Sequence, residues 1–260
     1  MLLRTIVGVT AFAVVVAIAW LGGWPFALTA LIAILLGGFE FYAMLTTGGF
    51  HVQPVLGMVW LAMLTLSGWQ PTWISLTLVL FVGFVAVFMW ALTVHVQPVT
   101  AAMATMLPAF YMGVMGAQAI ALRDMQSGLW WLLLGFLIAW GNDTFAYFAG
   151  TTLGRHKIWP RVSPKKTWEG TIAGWVSAAM ISVLVVWLTP LDFNLGLAAL
   201  IGLVGGILGF FGDLTISMVK RQVGVKDSGR FFPGHGGMLD RLDSMLFVLP
   251  FVYQVALLIK

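Results

Sequence analysis

Cysteine is absent from the 260 residues, which excludes a disulfide framework, thiolate chemistry and any cysteine-based zinc site. Charge is nearly as scarce: Asp, Glu, Lys and Arg make up 8% of the chain, against about 25% in an ordinary soluble domain. A water-soluble globule is thereby excluded. What fills the chain instead is apolar, with 61% hydrophobic residues, 13 tryptophans and a mean hydropathy of +1.01. The apolar runs are too long and continuous for barrel strands of about 10 alternating residues. The composition predicts an all-α polytopic membrane protein.

Stretches long enough to cross a hydrocarbon core fall near 5–21, 25–45, 52–67, 72–94, 99–122, 129–150, 170–188, 196–219 and 238–259, about nine spans. Turn residues separate them at Gly22-Gly23, Thr46–Gly49, Gly68–Pro71, Gln97-Pro98 and Thr189-Pro190. Pro108 should kink the fifth. The first span lacks a small-residue cleavage site and is expected to be a retained helix. With nine spans, one side of the membrane receives Arg4, Arg155, Lys157, Arg161, Lys165, Lys166, Lys220, Arg221, Lys226 and Arg230, and the other only Arg123 and Lys260. The positive-inside bias predicts that the N-terminus and two basic loops are cytoplasmic.

The few charges are unevenly placed. Residues 1–122 carry only Arg4 and Glu40, whereas ten of the 13 Lys and Arg lie between Arg155 and Arg241 and seven of the nine acids between Asp143 and Asp243. Residues 1–122 are therefore expected to be helical scaffold with possible oligomer contacts, and 123–260 to carry the site in helices and cytoplasmic loops. Ionisable residues inside spans are costly and face a bundle interior or a wet cavity. Asp143, Asp213, Asp240 and Asp243 are such residues, either functional or neutralised by Arg241 and loop lysines. Asp213 and Ser217 share a helical face at i and i+4, with Lys220 and Arg221 a turn further; Asp143 and Tyr147 repeat that spacing, and Asp240 and Asp243 stand at i and i+3. Carboxylates with a hydroxyl are hard oxygen donors that suit Mg²⁺. Acids beside cations and glycines point to phosphate chemistry.

Ser217 to Asp243 is the most informative segment, SMVKRQVGVKDSGRFFPGHGGMLDRLD. Gly234, Gly236 and Gly237 allow close backbone approach to an anion just before a helix start. The order Ser217, Lys220-Arg221, Lys226-Asp227, Pro233, His235-Gly236-Gly237, Asp240-Arg241, Asp243 resembles the signature of the integral-membrane phosphatidate cytidylyltransferases, or CDP-diacylglycerol synthases. A second block, Val162–Gly170 (VSPKKTWEG), and a third, Asp143, Thr144, Ala146, Tyr147 and Gly150, are similar to the same family. Asn142 and Phe145 depart from it, standing where small residues are expected, and Thr151-Thr152 follows Gly150.

The resemblance implies transfer of CMP from CTP to phosphatidate, giving CDP-diacylglycerol and pyrophosphate with Mg²⁺, in phospholipid biosynthesis. It implies a homodimer in a bilayer, expected to be a bacterial inner membrane with the site on the cytoplasmic side. Metal ligands are expected at Asp213, Ser217, Asp240 and Asp243, in a one- or two-metal centre. Lys220, Arg221, Lys226 and Arg241 are expected to clamp phosphates, and Asp227 is expected beside them in the catalytic set. His235 joins them as acid, base or loop brace. Ser163, Lys165, Lys166, Gly236 and Gly237 are substrate-binding candidates. Asp143, Tyr147 and Glu169 are secondary, with Asp143 and Glu169 orienting cations or holding a second ion. Nucleic acid is not an expected partner, since the basic loops are short and lie at the membrane surface. Rival readings are a CTP-dependent polyprenol kinase, which would release CDP, and a secondary transporter using Asp143 and Asp213. The motif expected of a CDP-alcohol phosphatidyltransferase is missing.

Overall fold

The computed structural model describes residues 14–229, 231 and 236–259. Most of the first expected span, together with Arg4, Arg230, Pro233, Gly234 and His235, lies outside them. Residues 14–21 are helical. They are followed by α1 (Gly23–Thr47), α2 (Pro54–Ser67), α3 (Leu76–Ala91), α4 (Pro98–Asp124) and α5 (Gly128–Thr152). A short hairpin follows, β1 (Lys157–Trp159) and β2 (Ser163–Thr167), then α6 (Trp168–Leu188), α7 (Leu195–Gln222), α8 (Leu239–Leu242) and α9 (Met245–Ile259).

Among the described residues, six helical stretches are long and apolar enough to cross a membrane: α1, α4, α5, α6, α7 and Leu239–Ile259. Two more helices, α2 and α3, are apolar but only 14 and 16 residues long. The protein is an integral membrane protein built from helices, and among the described residues the boundaries expected for the second to ninth stretches fall within a few residues of the observed ones. α4 continues through Pro108 without a break in its helical assignment. The hairpin was not expected: β1 and β2 pair antiparallel, Lys157 opposite Thr167 and Trp159 opposite Ser163, with an irregularity between. Thr167 then caps α6, its hydroxyl accepting from Gly170 N at 3.3 Å, which places the end of β2 at the start of a long helix.

The chain forms two compact units, one comprising the residues up to Asp124 together with Gln222–Arg241, the other Met125–Arg221 with the stretch from Leu242 onward. In the first, α4 packs on α1, α2 and α3, and α2 also packs on α1 and α3. Phe41, Tyr42, Leu61, Leu64, Met112 and Ile120 form its buried centre. Two polar groups inside it find main-chain acceptors, which a bilayer setting favours: Tyr42 Oη donates to Thr105 O at 2.6 Å and Trp60 Nε1 to Val79 O at 2.9 Å. In the second unit α5 packs on α6 and α9. α7 approaches α6 closely at Gly202 and Gly206, both against Ala178, the use of small residues expected where helices associate without a hydrophobic driving force. Large apolar side chains such as Phe81, Met89, Met180 and Trp187 face outward.

Candidate active site

In the second unit the polar residues of two helices, the turn between α8 and α9, and the hairpin collect together. On α7, Ser217 Oγ donates to Asp213 Oδ1 at 3.1 Å, so the i, i+4 spacing does produce a shared face. Lys166, near the end of β2, pairs with Asp213 Oδ2 at 2.8 Å, and its ammonium lies 4.4 Å from the centre of the Phe210 ring. On α5, Asp143 accepts from Ser244 Oγ at 3.0 Å and from Asn142 Nδ2 at 3.3 Å. Ser244 N also donates to Asp243 Oδ1 at 2.7 Å, at the turn that separates α8 from α9. Ser217, Lys220, Asp243 and Ser244 are buried. The charge of Asp213 acts on both Asp143 and Asp243, opposed by Lys166 at Asp143 and by Lys220 at Asp243.

Two backbone approaches make this gathering possible. Gly212 lies against the main chain of Asp243, where a Cβ would collide with the carbonyl oxygen. Asn142, buried at the foot of Asp143, fills space left by two glycines, Gly174 on α6 and Gly206 on α7. The family departure at Asn142 is thus accommodated by small residues on the neighbouring helices.

The other candidates in this unit are more peripheral. Arg221 is exposed, its Nε donating to Val162 O at 3.2 Å, and Ser163 opens β2 opposite Trp159. Lys165 and Tyr147 are exposed, the latter edge-on to Phe148. Glu169 accepts from the amides of Arg155 at 3.1 Å and His156 at 3.2 Å and meets His156 Nδ1 at 2.6 Å, so its carboxylate braces the chain entering β1.

A second polar network belongs to the first unit and centres on Asp240. Its Oδ2 accepts from Ser228 N at 2.9 Å, Ser228 Oγ at 2.9 Å and Gly237 N at 3.0 Å. Gly236 has φ +83°, a backbone conformation that favours glycine, and sits against the Asp240 carboxylate. Lys226, Asp227 and Arg241 are exposed on the same segment. Glu40, from the C-terminal third of α1, is buried within this network. It accepts from Ser228 Oγ at 2.9 Å, Met238 N at 3.0 Å and Leu239 N at 2.9 Å.

Sequence reasoning assigned no role to Glu40, Ser228 or Ser244. Glu40 did carry a signal, being the one acid in the first 122 residues and lying in an apolar span. The serines carried none, since isolated hydroxyls are common in any helix or loop.

These donors are carboxylates and hydroxyls, which fit a hard cation such as Mg²⁺. As they stand, Lys166 and Ser244 already occupy carboxylate oxygens, and no group of three or more His, Asp or Glu among the described residues is arranged to hold a metal ion. Carboxylates opposed by Lys166 and Lys220 are a setting in which a phosphate group can meet cations.

The Cytidylyltransferase family model matches residues 2–259. Over 125 residues the chain is 45% identical to a phosphatidate cytidylyltransferase of Staphylococcus haemolyticus, a stretch covering 48% of each chain. A phosphatidate cytidylyltransferase of Staphylococcus aureus is 46% identical over 127 residues, again 48% of each. The matched stretch thus spans about half the length of these relatives. Because the family match runs nearly end to end, through both polar networks as well as the apolar helices between them, the chain belongs to the cytidylyltransferase family.

Proposed function

We propose that the protein is a phosphatidate cytidylyltransferase, transferring CMP from CTP to phosphatidate to yield CDP-diacylglycerol and pyrophosphate. The observation that carries this reading is the Lys166–Asp213 pair set among Asp143, Asp243, Ser217 and Lys220 in a helical membrane protein of the cytidylyltransferase family. It is supported by relatives named for that activity. In the reaction a phosphate oxygen of phosphatidate attacks the α-phosphorus of CTP in line. The bond to the β-phosphate bridging oxygen breaks, and pyrophosphate leaves with that electron pair. Phosphatidate brings its own anionic nucleophile near neutral pH, so the demand for a general base is modest.

Asp213, Ser217 and Asp243 are the residues that would hold Mg²⁺, and Asp240 is assigned the same kind of ligand role from its place in the signature. When bound, the ion supplies charge neutralisation to the triphosphate. Lys166 and Lys220 hold phosphate oxygens, with Lys165, Arg221, Lys226 and Arg241 as further cations for the nucleotide or the lipid headgroup. The protein acts as a homodimer in a bacterial inner membrane, its site facing the cytoplasm, where CTP is soluble and the lipid phosphate lies at headgroup level.

The test incubates detergent-purified protein with Mg²⁺, α-labelled CTP and phosphatidate. Label is expected in the lipid phase together with released pyrophosphate, and Asp240→Asn is expected to remove both. Folded wild-type protein that transfers nothing from α-labelled CTP, but moves γ-label to a polyprenol, would replace this reading with that of a kinase.

Lys166→Met provides a narrower check. The Lys166 and Asp213 side chains are only 22% and 28% exposed, so their pair is partly shielded and worth more than the about 0–1 kcal/mol of a surface pair. The thermal midpoint should therefore fall as well, and turnover is read per folded protein. Turnover should fall at least about tenfold, the equivalent of roughly 1.4 kcal/mol in the transition state. An unchanged rate would remove Lys166 from the phosphate-binding set.

A further inference from the structure

We infer that Glu40 is a positioning residue: through Ser228 and the turn from Gly236 to Leu239 it sets the geometry of Asp240. The inference rests on the proposed reading of Asp240 as a metal ligand. Glu40 projects from the C-terminal third of α1, a helix of 25 residues whose sequence is otherwise uncharged. A carboxylate in such a span is retained at a cost, and here its oxygens are consumed by the signature segment, 188 to 199 residues away in the chain.

The bonding pattern is specific. One oxygen, Oε1, takes the Met238 amide at 3.0 Å; the other, Oε2, takes the Leu239 amide and the Ser228 hydroxyl, both at 2.9 Å. That hydroxyl stands equally near Asp240 Oδ2, at 2.9 Å, and the Ser228 amide also donates to Asp240. A hydroxyl has one proton and serves one carboxylate at a time. Ser228 therefore couples the two acids directly, and the position of one constrains the other. Gly229 and Gly237 both lie against the Glu40 carboxylate, where a Cβ at either would collide with it. Two glycines and three donors thus form a socket for one glutamate.

Outer-shell groups that fix metal ligands change metal affinity or activity by about 10- to 100-fold when removed. Glu40→Ala in the full-length protein is accordingly expected to lower kcat by about that factor and to raise the half-saturating Mg²⁺ concentration similarly. Glu40→Gln keeps the volume and one acceptor oxygen and should fall between Glu40→Ala and wild type. Hydrogen exchange followed by mass spectrometry should be faster at Ser228 and at Gly237 to Leu239 in Glu40→Ala, with the helices unchanged. If Glu40→Ala does not accumulate folded, Glu40→Gln takes its place in every measurement.

A loss of activity that only follows the folded fraction, with the Mg²⁺ dependence of wild type, would mean a structural role and overturn the inference. So would full activity. If wild-type protein itself transfers no CMP, the functional reading fails separately, and exchange alone decides the socket: rates unchanged by the substitution overturn it, and faster rates confined to those amides sustain it.

Discussion

Asp213→Asn is expected to reduce CMP transfer by about 10²- to 10⁴-fold, the equivalent of roughly 3–5 kcal/mol of transition-state stabilisation, while leaving the protein folded. Three functions converge on this carboxylate. It accepts from Ser217, it pairs with Lys166, and its charge acts on Asp143 and Asp243. Asparagine preserves the shape and one oxygen for Ser217, so the helix face survives. It loses the negative charge that orders Lys166 and would attract a cation. The folded state loses little, because asparagine is nearly isosteric and can still accept from Ser217. The measurement is label transfer from α-labelled CTP set beside thermal unfolding in the same detergent. Activity within threefold of wild type would rule Asp213 out as a ligand, whatever the unfolding curve shows.

Gly212→Ala should be the single-methyl change in the second unit that strikes the candidate site most directly. The added carbon would meet the carbonyl oxygen of Asp243, with Ser244 Cα 3.2 Å away. Main-chain atoms cannot rotate aside, so α7 and the Asp243–Ser244 turn must separate. Overpacking of this kind costs about 1–3 kcal/mol, occasionally more, and the displaced residues are those that hold Asp143 and Asp243. A reduced thermal midpoint and at least a tenfold loss of turnover are expected. Gly209→Ala, one turn earlier, is the control: its nearest neighbour is a side-chain carbon of Val248 at 3.2 Å, which can shift by a small rotation. Equal effects from the two substitutions would refute the argument from main-chain contact.

The helices were legible because hydropathy alone encodes them: the stretch expected at 25–45 is helical over Gly23–Thr47, and that at 170–188 over Trp168–Leu188. The shared face of Asp213 and Ser217 was legible for the same reason, being fixed by helical periodicity. The hairpin was not. β2 reads Ser-Pro-Lys-Lys-Thr, with none of the alternation or β-branched enrichment that marks a strand. Its form depends on closing against Lys157–Trp159 and on the cap that Thr167 gives to α6. The Glu40 socket was hidden for a different reason. Each partner is a backbone amide or a serine nearly 200 residues distant, and one sequence carries no sign of such pairings. Asn142 looked like a departure because the space that admits it is created on other helices, at Gly174 and Gly206.

The length of α3 has a consequence for the lipid around the protein. At 16 residues it is about 24 Å long, short of a hydrocarbon core of about 30 Å. α2 is shorter still, with Val55 and Val59 outward and Trp60, Leu61 and Leu64 shielded by protein. α3 turns Leu78, Phe81, Phe84 and Met89 outward, so in a bilayer its deficit would fall on acyl chains. Each ångström of mismatch costs a fraction of a kcal/mol in tilt or bilayer thinning. Membrane thickness would therefore act on an α3 set in the bilayer as a mechanical load, and under the proposed function the chain length of the substrate lipids would stress or relax the protein that acts on them.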